Sequence, residues 1–555
     1  MSKTPNRWIG LIFISMAISL VIIDGTIVNT IFPAVITDLK LTSTQVQWVQ
    51  ESYVLVFASL LLVWGSLADR FGRRLILLIG IAIFVGASIW AGFSTDATSM
   101  ILARVIQGIG GAMVLPTTLS LVNANFEGKE RGIAFAIWGS TIGGMVAIGP
   151  VLGGWLATDF SWRWAFNVNA PIGLLIVIGL LIFVRESKQA HREGGIDFVG
   201  AIISVFMFAT LVFALIEGRT YGWWLASKTH QFTIGDFAWK TDGISIIPVA
   251  LMWSVVFFIA FVMWERRRER AHKNVLLDLQ LFKIASFRNG SIAALIISMG
   301  EFGLLFAIPL WLQNVEGLSA VSSGLVLLWL AGGAFLASGI GGALSGKLPA
   351  AYAVRIGVAL EMVGVAGVAL VASQSGGWFA VAPFLLIYGI GVGLATAQLT
   401  GVIMVDVPVQ KIGQASGSQS TVRQIGSALG IAVLGSILFA ASQSAIEAHI
   451  IGIEQLQTST VADRQHLAES IATPVVESSG SYISGIAPSL VAAGAPQAAA
   501  DAIQSAAKDG FTDGVKAAGW AAAGFLALGF VSTFNLGSKR RKPEEQAEEA
   551  PATQG

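Results

Sequence analysis

Uninterrupted apolar runs of about twenty residues recur from one end of this sequence to the other. A run of that length lets an α-helix cross a hydrocarbon core roughly 30 Å thick. Inside such a core no water is available to backbone N–H and C=O groups, so each spanning segment must satisfy its own hydrogen bonds as a helix. The runs fall at about 8–32, 47–67, 75–93, 100–122, 134–157, 168–184, 196–216, 244–264, 288–313, 321–344, 353–373, 379–404, 414–440 and 515–537, which predicts fourteen spans. Only 12% of the residues are charged, about half the share of a soluble domain. The first run is too long for a signal-peptide core and lacks a small-x-small cleavage site, so it reads as a retained helix behind a short basic leader with Lys3 and Arg7.

The basic residues orient these spans. With the N-terminus inside, 24 of the 34 lysines and arginines fall in inside segments and 8 in outside segments, while Arg104 and Arg423 lie within spans. This is the positive-inside asymmetry of a multi-pass protein with both termini cytoplasmic, and a bacterial plasma (inner) membrane is its expected location. The predicted organisation is an N-terminal six-helix bundle (1–184), two additional helices with their loops (185–287), five helices of a C-terminal bundle (288–440), a long extracytoplasmic loop with helical stretches such as Ala498 to Lys508 (441–514), a last helix (515–537) and a disordered cytoplasmic tail (538–555). Gly342-Ala-Leu-Ser-Gly-Lys347 echoes Gly65-Ser-Leu-Ala-Asp-Arg70 at an equivalent helix end, as a duplication of bundles would leave.

Several function classes are excluded. The absence of cysteine removes disulfides, thiol catalysis and cysteine-ligated metal, and five histidines without an HExxH pattern offer no zinc site. No Gly-x-x-x-x-Gly-Lys-Ser/Thr loop is present to hold ATP, so primary pumping is excluded. The formal net charge of +1 gives no reason to expect nucleic acid as a partner.

Ionisable residues inside spans are the candidate sites, because each is costly in lipid unless it meets water or a partner. Asp24, in the first span, reads as a proton or cation site, with a structural hydrogen bond as the alternative; Ser15, Ser19, Thr26, Asn29 and Thr30 form a stripe on roughly the opposite side of its helix. Glu301 sits mid-span with no basic residue nearby in sequence, which suits a group that is cyclically protonated during transport. Glu361 lies about 9 Å along its helix from Arg355, so it either reaches the inside surface or joins the buried set. Arg104 either snorkels to the outer interface or pairs with an acidic group, and Arg423 beside Gln424 carries the same alternatives. Glu51 and Glu217, near outside helix ends, are expected to be solvated. Trp311 reads as part of an interface belt, and Trp138, Trp253 and Trp329 as deeper, facing either lipid or a cavity.

In Gly65-Ser-Leu-Ala-Asp-Arg-Phe-Gly-Arg-Arg74, Gly65 and Gly72 permit a tight inside turn. Asp69 can accept from Arg70 or Arg73, or from a neighbouring helix N-terminus, which would make a breakable latch. In Ile148-Gly-Pro-Val-Leu-Gly-Gly154, Gly149, Pro150, Gly153 and Gly154 strip bulk and a backbone donor from the fifth helix, permitting close contact and a bend at a seam.

The first of these segments resembles the signature between helices two and three of the major facilitator superfamily. Asp24-Gly-Thr-Ile-Val-Asn29 with Pro33, Arg104-Val-Ile-Gln-Gly108 (including Gln107), Ile148 to Gly154, Ser161-Trp-Arg-Trp-Ala-Phe-Asn167 before Pro171, and Gly417 to Gly426 (including Arg423 and Gln424) resemble its fourteen-helix drug:proton antiporter branch. The resemblance implies an all-α polytopic fold of two six-helix bundles plus two linker helices. It also implies proton-coupled export of amphipathic or cationic compounds by alternating access, driven by a proton gradient without a cofactor. A monomer surrounded by membrane lipids is expected. A same-fold exporter of a specific lipid, siderophore, amino acid or metabolite is the alternative.

Overall fold

The computed structural model describes residues 6–41, 43–126, 128–188, 197–227, 231–234, 237–271, 273–344, 348–408, 411–453 and 461–536. It is almost entirely helical. The predicted spans are α1 (Arg7–Leu39), α2 (Ser43–Phe71), α3 (Arg73–Gly92), α4 (Ala97–Asn125), α5 (Gly128–Asp159), α6 (Trp162–Asn167) continued by α7 (Asn169–Phe183), α8 (Phe198–Tyr221), α9 (Ile246–Arg270), α10 (Ala285–Asn314), α11 (Ala320–Leu344), α12 (Ala350–Val371), α13 (Gly377–Met404) and α14 (Ile412–Ile451). The series ends with α15 (Val461–Glu477), α16 (Ile486–Ala492) and α17 (Gln497–Ser532). Among the described residues, 12 helical segments are long and apolar enough to cross a membrane. With α5 and α11 in the fifth and tenth predicted places, fourteen membrane-spanning helices result.

Two bundles form. Helices α1 to α7 pack on one another, as do α10 to α14 with α17, while α8 and α9 make a hairpin outside both. We call the side where α1 begins the near face and the other the far face. The bundles meet across a seam: α5 lies against α11 and α13, and α2 against α14. At the far face Gly154 of α5 abuts Val321 of α11. At the near face a Cβ on Gly417 of α14 would lie 3.3 Å from the Gly65 Cα of α2. Two motifs distant in sequence thus press backbone to backbone across the seam.

The segment 441–514, expected as a loop with helical stretches such as Ala498 to Lys508, is mostly helix among the described residues. Helix α14 runs on to Ile451 and α17 begins at Gln497, well before the predicted 515. Buried Ile446, Ile450, Ile503, Ala507 and Phe511 explain it, since they make a joint apolar stripe. A Cβ on Gly510 would come within 2.5 Å of the Ile446 N, so the two extensions cross with almost no gap. The cap is tied to the C-terminal bundle: Asn314 donates to the Ser479 carbonyl at 3.0 Å, and the Trp311 indole donates to Thr512 Oγ1 at 3.1 Å. Trp311, read as an interface residue, is therefore buried. Trp253 of α9 and Trp329 of α11 are exposed, and Trp138 is buried. Glu217 is not solvated as expected but buried, because the aromatic turn after α8 folds back over its helix end, with Trp223 against Gly218. The echo motif at Gly342 to Lys347 lies partly outside the described residues.

Candidate functional site

Each bundle buries carboxylates, and the two are surrounded differently. In the N-terminal bundle Asp24 of α1 is fully buried. Arg104 Nη1 donates to its Oδ2 at 2.7 Å, Gln107 Nε2 to its Oδ1 at 2.7 Å, and Asn169 Nδ2 to the same Oδ1 at 2.8 Å. Gln107 and Asn169 also donate to Ser88 Oγ, at 2.7 and 3.1 Å. The guanidinium of Arg104 donates to the Val49 carbonyl and lies 4.3 Å from the Tyr53 ring centroid, where the ring face attracts a cation. Arg104 therefore does not snorkel; it pairs. Its spacing from Gln107, three residues apart on α4, puts both side chains on one helix face toward α1. Thr26 stands on the other side of α1, against Gly149 of α5, so a side chain at Gly149 would collide with its hydroxyl. The side chains of Asn29 and Pro150 lie outside those described, as does that of Glu51.

In the C-terminal bundle Glu301 of α10 is almost fully buried. Thr396 of α13 donates to its Oε1 at 3.2 Å, and Arg423 of α14 approaches its Oε2 at 3.5 Å. Tyr388 donates to the Glu301 carbonyl at 2.9 Å, fixing α13 against α10. The basic partner that sequence proximity did not offer comes from 122 residues away. Glu361 of α12 is fully buried and neither carboxylate oxygen has a hydrogen-bond partner among the described residues. It lies within electrostatic range of both Glu301 and Arg423. Its helix packs so closely on α13 that a Cβ on Gly391 would sit 2.7 Å from the Glu361 Cγ. Arg355 is engaged elsewhere, stacked on Tyr352 and Phe534, so Glu361 does not reach the surface. Gln424 is half-buried beside Arg423 on α14.

The turn at the near face is built as a charge network. Buried Asp69 accepts from Arg73 Nε at 3.0 Å and Nη2 at 2.8 Å, which selects Arg73 over Arg70. Arg70 lies half-exposed over Phe71. Arg73 also donates to Ser187 Oγ at 2.9 Å, and Glu186 accepts from the Arg74 and Leu75 backbone N–H groups, both at 3.0 Å. Those are the otherwise unpaired donors of an α3 N-terminus, where a carboxylate is favoured. Gly72 has φ +122, and a Cβ there would fall 2.7 Å from the Glu186 carboxyl carbon, so only glycine fits. Gly153 is buried in α5.

Sequence reasoning passed over Ser88, Asn169, Tyr53, Thr396, Glu186 and Ser187. Ser88 carried a faint signal, being a small polar residue within an otherwise apolar run. Glu186 and Ser187 carried none, because their partners are more than a hundred residues away.

The family model described as Major Facilitator Superfamily matches residues 14–225 and 199–431. The chain is 31% identical to the multidrug resistance protein Stp of Mycobacterium tuberculosis over 446 residues, covering 80% of this chain and 78% of that one. It is 31% identical to the multidrug efflux pump LfrA of Mycolicibacterium smegmatis over 505 residues, covering 89% and 94%. With a probable actinorhodin transporter of Streptomyces coelicolor it shares 28% identity over 97% of its own length and 93% of the other's. Among solved structures, the human organic anion transporter TETRAN superposes with a TM-score of 0.58 at 12% identity, covering 96% of this chain and all of that one, which is a likeness of fold.

Proposed function

Because the chain belongs to the Major Facilitator Superfamily, we propose that it exports amphipathic and cationic drugs from a bacterial cell in exchange for protons, by alternating access. The observation that carries this reading is a charge count. In the N-terminal bundle one carboxylate, Asp24, meets one guanidinium, Arg104, and the buried site is neutral. In the C-terminal bundle two carboxylates, Glu301 and Glu361, share one guanidinium, Arg423, among the described residues. A net buried charge is expensive in a low-dielectric interior. The second site therefore requires one more positive charge, and a proton or a cationic substrate supplies it. Occupancy by one excludes the other, which is the rule of an antiporter. The relatives named for multidrug resistance and efflux support the substrate class.

The near face is the cytoplasmic one on this reading, with both termini there, because it gathers most of the lysines and arginines. A cysteine placed at Ser479 in this cysteine-free chain would then be labelled from outside the cell, and labelling only from inside would reverse the orientation. The rocking motion pivots on the seam. Gly65 against Gly417 closes its near end and Gly154 against Val321 its far end, and the Asp69–Arg73 network holds the turn beside the former.

Liposomes carrying the purified protein, a fluorescent cationic dye and an imposed pH gradient test the proposal. Dye movement should follow the gradient and be uncoupled from it in Glu301→Gln and Glu361→Gln. Movement that ignores the gradient, or wild-type coupling in both variants, would overturn it. The actinorhodin-associated relative favours one second reading, export of a single metabolite; transport confined to one compound, with no lipophilic cation moved, would select it.

A further inference from the structure

The α8–α9 hairpin supplies no residue to either buried site, yet its near-face end carries a cluster of exposed arginines. Around the last turn of α9 the side chains divide by direction. Those facing the protein are spent there: Glu265 is buried and accepts from the Leu276 N–H at 3.1 Å, Arg268 pairs with buried Asp197 at 3.1 Å, and Glu269 accepts from Gln280 at 2.6 Å. Trp264 donates to Asp197 at 3.0 Å, which fixes the start of α8 against the end of α9. Arg266, Arg267 and Arg270 point the other way, are exposed, and have no acidic partner among the described residues.

Their position on the helix is informative. Met252, Val256, Ile259 and Met263 are exposed apolar side chains at steps of three or four residues, the spacing of one helix face. The next steps along that face are Arg266, Arg267 and Arg270. One stripe thus passes from hydrocarbon chemistry to a triple guanidinium within a single turn, at the end of a spanning helix. Three fork-shaped donors match the oxygens of a phosphate, and the apolar side chains beneath them match an acyl chain.

From this juxtaposition we infer that the near-face end of the α8–α9 hairpin is a binding site for an anionic glycerophospholipid of the adjoining leaflet. Its phosphate lies on Arg266, Arg267 and Arg270 and one acyl chain lies against Met263, Ile259 and Val256. The charge pattern commits to a lipid and not to a free anion, because the guanidiniums stand directly above lipid-facing apolar surface instead of in a water-filled cleft. The site has a mechanical consequence, since α8 packs against α2 of one bundle and α14 of the other. A lipid held at the hairpin therefore steadies an element that touches both sides of the seam. This inference stands apart from the identity of the exported compound.

Native mass spectrometry of the full chain, taken from detergent micelles mixed with phosphatidylglycerol and phosphatidylcholine, tests it. The wild type should retain phosphatidylglycerol preferentially. Replacing all three arginines (Arg266→Gln, Arg267→Gln, Arg270→Gln) should reduce that preference on the order of a hundredfold, as expected from about fivefold per cation near a lipid surface. The triple Arg→Lys variant, which keeps the charge and loses the fork, should fall clearly between wild type and the glutamine variant, and Lys283→Gln with Arg288→Gln should leave the preference unchanged. An unaltered melting temperature of the triple glutamine variant in neutral detergent shows that the protein still folds, and the lysine variant carries the test if it does not. Wild-type lipid preference in the glutamine variant overturns the inference. So does complete displacement of the lipid by excess inorganic phosphate, which would mark a site for free anions.

Discussion

The two bundles bury acidic groups in opposite ways. Asp24 receives three donors at 2.7–2.8 Å, from a guanidinium and two carboxamides, spread over both of its oxygens. Glu301 receives one hydroxyl at 3.2 Å and one guanidinium at 3.5 Å, and nearby Glu361 receives nothing. The first arrangement has short, mutually supporting hydrogen bonds and balanced charge, so it is suited to staying as it is. The second is under-supplied with donors and carries one negative charge too many, so its lowest-energy state depends on what arrives. We read Asp24 with Arg104 as an anchor that joins α1, α4 and α7, and Glu301 with Glu361 as the exchange site.

The largest effect that would break this contrast is expected at the anchor. Removing one partner of a buried, hydrogen-bonded ion pair costs about 3–5 kcal/mol, because the other charge is left buried and uncompensated. Asp24→Asn should therefore lower the melting temperature in detergent sharply and leave little folded protein. Arg104→Gln added to Asp24→Asn should restore much of the loss, since neutrality returns. If Asp24→Asn folds with wild-type stability but no longer couples transport to the pH gradient, Asp24 belongs with the exchange carboxylates and the contrast fails.

At the exchange site stability and activity should part company. Glu361→Gln replaces a carboxylate whose oxygens have no donors by a neutral side chain of the same shape, so the melting temperature should stay level or rise. Proton-driven dye export should nevertheless fall by about tenfold or more, the equivalent of roughly 1.4 kcal/mol. A variant that is destabilised and still coupled would make Glu361 a structural residue and leave Glu301 to act alone.

The same contrast governs how much was legible in the sequence. Helix number and order followed from hydropathy, because lipid forces every spanning segment to be helical whatever its neighbours do. Asp24 and Arg104 stood out as charged interruptions of apolar runs and Gln107 through the family resemblance, and the structure joins all three. Asn169 completes that set but sits at the start of α7, where a polar residue needs no special explanation. The pairing of Arg423 with Glu301 was not legible, since contact across 122 residues is decided by how two helices pack. In the segment 441–514 helical stretches such as Ala498 to Lys508 were legible, but their full extent was not, for a related reason. Its alanines and isoleucines are too dilute to read as spans, and only the crossing of α14 on α17 through Gly510 and Gly514 turns them into a buried face.

A third test asks whether the anchor depends on backbone proximity as well as on charge. A methyl group at Gly149 meets Thr26 Oγ1 and approaches the Ile23 carbonyl at 3.1 Å, next to Asp24 on α1. Overpacking of this kind costs about 1–3 kcal/mol. Gly149→Ala should lower the melting temperature by less than Asp24→Asn does, and Thr26→Ala should relieve it. Absence of rescue would place the strain on the Ile23 backbone instead of the threonine side chain.

The smallest effect is expected outside the spans, where water weakens the same chemistry. Asp38 at the far end of α1 accepts from Arg163 and from the Trp162 indole, and these hydrogen bonds hold its carboxyl below the usual aspartate range. A carboxyl whose folded value is depressed contributes stability that is fully present above its unfolded value, near pH 4, and lost as the pH falls through the folded value. Asp38 is 48% exposed and Arg163 33%, and exposed pairs of this kind contribute only about 0–1 kcal/mol. Melting curves of the wild type should therefore shift down slightly between pH 5 and pH 3 relative to Asp38→Asn, and the gap should narrow in high salt. A shift as large as that of Asp24→Asn would mean that the surface pair, with its tryptophan, holds α1 to α6 as firmly as Asp24 and Arg104 hold the bundle interior, and that burial is not what separates anchor from ornament in this fold.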